Sequence, residues 1–300
     1  MQLRRNRSSS YIPYKYRSAR SKRRRVMILA SAGTAVVLIA ALTVLIVARS
    51  SERGAEGTLK QALSEWDAGD YEAAAAEYER YLRQAPTGDA SPEARLQLAN
   101  IYYLKLHRNE RAVALYREFL GQSPAHASAA IARERLAEVL ADMGRSYESI
   151  AEYESLNSQD PVERRRIRLR IADLYYNQNN LSQALTEYAK VSTADSFDEY
   201  TEQACTRQAS IYHLARGQYA LAAPFYQRLA SSSSDAKMRR RALYGLAECY
   251  SALYKFDEAL SVFREVKDPE EQTYLQKKLA EIEQRKREAA HAPTIRKRGE

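Results

Sequence analysis

The chain is 300 residues long, 45% hydrophobic, with a formal net charge of +9, two cysteines and four histidines. Cys205 and Cys249 have no CxxC spacing and no histidine nearby, which excludes a disulfide framework and a zinc site and favours two small buried hydrophobes over a bridge between them. Residues 1–25 hold ten Lys and Arg and no acid, and residues 284–300 hold six bases against two acids, so the rest carries a net −5 and a nucleic-acid-binding fold loses its support.

Taken in order, residues 1–25 combine that basic density with Ser and Tyr and no apolar periodicity, the composition of a disordered tail. On an anionic lipid surface each such charge contributes about 1 kcal/mol. Val26–Ala48 follows, 23 residues without a charge. At about 1.5 Å per residue it would be about 35 Å long, enough for a hydrocarbon core of about 30 Å and longer than the apolar region of a cleaved signal peptide. No cysteine stands directly behind it, so lipoprotein processing is not expected. The charge asymmetry across this segment places the amino terminus in the cytoplasm and the remainder outside. Residues 49–57 read as a short linker with two glycines.

Residues 58–268 repeat one pattern. The quartets YEAA, NERA, SYES, LSQA, YALA and FDEA end on Ala74, Ala112, Ser149, Ala184, Ala222 and Ala259, with steps of 38, 37, 35, 38 and 37 residues. An aromatic follows four residues after each: Tyr78, Tyr116, Tyr153, Tyr188, Tyr226 and Phe263. The last unit, Ala242–Phe263, reads as two amphipathic helices joined at Tyr254 and Lys255. Leu243, Leu246, Ala247 and Tyr250 recur at helical spacing in the first, and Phe256, Ala259, Leu260 and Phe263 in the second. A pair this short buries its apolar stripe only by stacking on copies of itself. Trp66 is expected in the core of the first pair. Residues 269–290 read as a capping helix with Tyr274, Leu275, Leu279 and Ile282 on one face, closing the array with a polar outer side. Residues 291–300 read as a frayed tail. No segment alternates with period 2, so an all-α fold is expected.

The pattern resembles the tetratricopeptide repeat. Ala99 with Tyr102, Ala172 with Tyr175, Ala209 with Tyr212 and Ala247 with Tyr250 match its helix A. The quartet residue and its following aromatic match helix B, and Pro86, Pro124 and Pro161 fall where the family ends helix B. Ser149 in place of Ala, a poorly matched first helix A, and Pro224 inside the fifth helix B depart from the pattern; that Pro, near a helix start, should be tolerated. The resemblance implies a superhelical solenoid of about six helix pairs. It implies a protein-binding groove lined by helix A, with Asn100, Tyr103, Glu138, Arg166, Asp173, Tyr176, Asn177, His213 and Glu248 at the inner-face positions. The Lys and Asn set by which some relatives clamp carboxylate tails is missing, with Leu96 and Leu169 at one clamp position.

No phosphate loop, metalloprotease pair or nucleophile elbow occurs, so an enzyme is not expected, nor a cofactor or metal. The layout resembles the membrane-anchored periplasmic subunit associated with the bacterial secretory translocon. The helix B wording, YERYLRQAP and YREFLGQSP, is similar to repeat proteins of outer-membrane barrel assembly and of the Tol-Pal system. The expected function is a membrane-anchored scaffold binding protein partners outside the cytoplasm, in envelope protein assembly or secretion. The alternative is a cytosol-facing import receptor on an organelle membrane, which requires the opposite topology.

Overall fold

The structure, a computed structural model, describes residues 40–43, 54–266 and 272–291. The basic tail, the carboxyl-terminal tail beyond His291 and all but four residues of the uncharged stretch Val26–Ala48 lie outside the described residues. Residues 40–43 are helical, and no described helix is long and apolar enough to cross a membrane.

Thirteen helices follow, with no strand among the described residues. They are α1 (54–68), α2 (Tyr71–Gln84), α3 (Ser91–Leu104), α4 (Asn109–Gln122), α5 (Ala129–Asp142), α6 (Ser146–Glu154) and α7 (Pro161–Asn177). Then come α8 (Leu181–Ser192), α9 (Glu199–Ser210) running into a π-turn (Ile211–Ala215), α10 (Tyr219–Ser232), α11 (Ala236–Ala252), α12 (Phe256–Glu265) and α13 (Gln272–His291). Odd-numbered helices up to α11 are the A helices and even-numbered ones the B helices. Each quartet opens a B helix. Residues 54–57, read as linker, are already helical despite Gly54 and Gly57, and Ala55 is buried.

The chain divides into two compact units, one ending at Leu115 and one beginning at Tyr116, with the division inside α4. In the first, α2 packs on α3; in the second, every helix from α5 to α13 packs on its neighbours in the chain. The hairpins close because their contact points are small. Ala74, Ala112, Ser149, Ala184, Ala222 and Ala259 are all fully buried, and Ser149 is tolerated there because its hydroxyl donates to the Ala137 carbonyl at 2.7 Å, which satisfies a polar group that burial would otherwise penalise. Ala62, Ala99, Ala137, Ala172, Ala209 and Ala247 are fully buried on the A helices. The first A helix thus buries its small residue like the others, although Glu65 stands where four of the other A helices carry Tyr.

Each A-to-B turn has one residue in the left-handed region: Gly69, His107, Gly144, Asn179, Gly217 or Tyr254, always five residues before the buried small residue of the B helix. The next residue donates its N–H back to the carbonyl of Glu65, Tyr102, Leu140, Tyr175, Tyr212 or Tyr250, satisfying a helix end that has no partner of its own. In four turns this bond reaches back five residues; in those after α3 and the π-turn it reaches back six. The additional residue is accommodated by wider hydrogen bonding, Leu106 N–H to Ile101 O after α3 and the π-turn after α9. Those are the repeats whose A-helix alanine precedes its partner by 13 residues instead of 12.

Pro86 and Pro124 follow α2 and α4 closely, as expected, but Pro161 opens α7 at its first position behind the capping side chain of Asp160, where a missing N–H costs nothing. Pro224 lies inside a continuous α10. On α13, Ile282 is buried and Leu275 and Leu279 pack on the cluster holding Phe256, Leu260 and Phe263. Tyr274 does not join them; it is 42% exposed, with its ring 5.9 Å from Tyr244. Cys205 and Cys249 are free and fully buried, and burial pushes their thiols up to about 11 and about 12. Because the thiolate is the reactive form, neither should react with a disulfide reagent at pH 8 until the protein is unfolded. Reaction of a thiol in the native state, followed at 412 nm, would contradict this placement.

Candidate protein-binding face

On each A helix the residues one and four positions after the buried alanine share one face, and all of them but Ser251 are at least partly exposed. The first set is Leu63, Asn100, Glu138, Asp173, Ser210 and Glu248; the second is Trp66, Tyr103, Ala141, Tyr176, His213 and Ser251. Seven of the nine expected groove residues fall in these two sets; Arg166 and Asn177, both on α7, do not.

In the first unit, Asn100 and Tyr103 are half-buried on α3. Trp66 was expected in the core and is not there. It is half-buried, edge-on to Tyr71 with ring centroids 5.2 Å apart, and Lys105 Nζ stands 4.9 Å from the Tyr71 ring. With Leu59, Leu63, Tyr78, Ala94 and Gln97 it bounds a hollow of about 460 Å³, and Leu63 is 48% exposed. The signal was present in the sequence, because Trp66 has the same offset from Ala62 as Tyr103 has from Ala99.

In the second unit, four expected residues are engaged within the protein. Glu138 pairs with Arg135 at 2.7 Å. Arg166 pairs with both Glu163 and Glu134, and its guanidinium holds Glu163 below the usual carboxylate range. Asp173 accepts from the Tyr188 hydroxyl and lies 3.6 Å from Arg207, whose guanidinium covers the Tyr176 ring at 5.1 Å. Tyr176 also packs partly against the core around Tyr188. Asn177 is exposed at the end of α7.

His213 and Glu248 are brought together, lining one cleft of about 560 Å³. The π-turn carries His213, whose Nδ1 is hydrogen-bonded to the Tyr226 hydroxyl at 3.1 Å and whose ring meets Tyr219 and Tyr226 edge-on. Tyr226 lies directly on Gly245, where an added Cβ would stand 2.6 Å from the ring; burial pushes the phenol up to about 12. Sequence reasoning missed Lys237, Arg240, Arg241, Tyr244 and Gly245, which line it from α11, and Tyr274, which lines it from α13. Arg241 carried a signal, being at the same offset from Ala247 as Arg166 from Ala172. Tyr274 carried none, since it was read onto the buried face of its helix. Among the described residues no group of side chains is arranged to hold a metal ion.

Comparison with curated proteins gives no match. Similar solved structures include a tetratricopeptide repeat protein from Parabacteroides merdae, 17% identical with a TM-score of 0.49, covering 79% of this chain and 90% of that one. PilF of Pseudomonas aeruginosa is 17% identical with a TM-score of 0.42, covering 77% and 99%. The tetratricopeptide-repeat domain of P58(IPK) is 18% identical with a TM-score of 0.33, covering 80% and 67%. The sequence profile described as tetratricopeptide repeat matches residues 59–127, 101–162 and 207–271. Those stretches span more than half of the chain and fall on the helix hairpins described above, so the chain belongs to the tetratricopeptide-repeat family.

Proposed function

We propose that this protein is a membrane-anchored scaffold that holds a segment of a partner protein on its A-helix face, outside the cytoplasm, in the assembly or secretion of envelope proteins. Tetratricopeptide repeats bind protein partners, and the fold is typically a non-enzymatic scaffold. The observation that carries the reading is the cleft of the second unit: Tyr226, Tyr244 and Tyr274 converge there beside basic side chains, and Tyr and Arg are the residue types enriched where binding energy concentrates. The anchoring is supported by the 23 uncharged residues of Val26–Ala48, and the orientation by the ten bases that precede them.

A photo-crosslinking amino acid at Tyr244, compared with one at exposed Gln183 on the opposite helix set, tests the scaffold in intact membranes. A defined adduct from Tyr244 and none from Gln183 is expected; equal yields from both remove the groove. Protease applied outside spheroplasts should digest the repeats and spare a fragment with the anchor. Protection until lysis would reverse the topology.

A further inference from the structure

We propose that the cleft beside the π-turn takes an acidic segment of the partner, with a carboxylate of that segment on Arg241 and an apolar side chain beside Tyr244. This rests on the scaffold reading and adds the partner's chemistry. It comes from two positions in one register. Arg166 and Arg241 each lie six residues before the buried alanine of their helix, Ala172 and Ala247. Arg166 is neutralised twice, by Glu163 three residues earlier and by Glu134 on the preceding A helix. At the corresponding places around Arg241 stand Met238 and Thr206. Neither carries a charge, and Arg241 is exposed, with no ion-pair partner among the described residues. The guanidinium position that takes two carboxylates on α7 is thus presented to an open cleft on α11.

The surroundings favour the same ligand. Lys237 lines the cleft with Arg241, and Glu248 is the single carboxylate among the described residues that line it. Bases in the first turns of a helix oppose its dipole, so helix stability does not explain the run Lys237, Arg239, Arg240 and Arg241. Arg239 has a local use, donating to the carbonyls of Ser233 and Ser234. Arg241 does not. A carboxylate can meet its planar guanidinium with two parallel bonds, and the Tyr244 and Tyr274 rings, 5.9 Å apart and edge-on, offer apolar surface next to it.

The test uses the full chain in detergent micelles and two fluorescein-labelled decapeptides, one built of Glu, Phe, Gly and Ser and its counterpart with Gln for every Glu. Binding is read by anisotropy at about 150 mM salt, where exposed long-range attraction is largely screened. The basic tail contributes equally in every variant, so differences between variants are the readout. The Glu peptide should bind about tenfold or more tighter than the Gln peptide, as a charge-assisted bidentate contact requires. Arg241→Gln should abolish that preference and leave Gln-peptide binding unchanged, while Arg166→Gln should preserve it. Thr206→Glu should abolish it with Arg241 still present, because it restores the carboxylate that Glu134 supplies to Arg166. Circular dichroism establishes that each variant is folded. Equal binding of the two peptides, binding of neither, or a preference that survives both Arg241→Gln and Thr206→Glu overturns the inference, whereas the Tyr244 crosslink judges the scaffold separately. Arg241-dependent binding to phosphatidylglycerol vesicles without peptide binding would assign the cleft to lipid and overturn it as well.

Discussion

Replacing Tyr188 by Ala is expected to destabilise the second unit by about 3–5 kcal/mol, the cost of removing a fully buried aromatic side chain. Tyr188 is 0% exposed in the cluster that holds Leu169, Ala172, Leu185, Val191, Ala204 and Ile211, so its removal leaves a cavity walled by three successive helices, α7, α8 and α9. Its hydroxyl also donates to Asp173. Tyr188→Phe isolates that bond and should cost about 1 kcal/mol, because Asp173 keeps Arg207 and partial access to water. Tyr175→Ala is the control. The sequence pattern gives Tyr175 the same packing role, but its ring is only partly buried, and its loss should be about 1–2 kcal/mol. Repeat arrays couple mainly through nearest neighbours, so hydrogen exchange across α7–α9 should accompany urea midpoints. Tyr175→Ala proving the more damaging change would mean that the buried aromatic of this hairpin is misassigned.

Gly245→Ala is expected to cost about 1–3 kcal/mol, opposite in sign to what helix propensity alone dictates. Ala is better than Gly in a helix interior by about 1 kcal/mol, and Gly245 lies in the middle of α11. Space decides against that gain: the new Cβ would meet three atoms of the Tyr226 ring at 2.6–2.9 Å. Either the ring leaves its position, breaking its bond to His213, or α10 and α11 separate, and overpacking of this kind is destabilising. Removing the ring should reverse the sign. In a Tyr226→Ala background, Gly245→Ala should be neutral or stabilising by up to about 1 kcal/mol, and a double-mutant cycle measures the coupling. A single Gly245→Ala variant more stable than the parent would rule out the close approach.

Much of the hairpin architecture was legible because it depends on side-chain size at fixed spacing. Six quartet residues that must be small, and the aromatics four residues on, identify the B helices directly, and all six quartet residues are buried. The site was less legible. Glu138, Arg166 and Asp173 are each taken up by a partner on the same or a neighbouring A helix, and spacing carries no information about which charges neutralise one another. His213 and Glu248 meet in the cleft, but the groups that give it its character, Arg241, Tyr244 and Tyr274, belong to a wall formed only when α11 packs beside the π-turn and α13.

What the sequence determined by itself is the periodicity: which residues are small, which are aromatic, and that two of the five steps are 38 residues long. Local chemistry follows from that, since a helix with a small residue every turn or two can be approached closely by only one face. Only the tertiary structure decided where the additional residue of a longer step goes. It is absorbed at the end of α3 and in the π-turn, because the residue after the left-handed position must still reach the same carbonyl to close the hairpin. The tertiary structure likewise decided that Tyr226 is only half-buried while its counterparts Tyr116 and Tyr188 are fully buried. Its ring has a glycine beneath it and a histidine beside it, and such a contact between separate helices is set by how closely their backbones approach, a distance that no spacing within one helix contains.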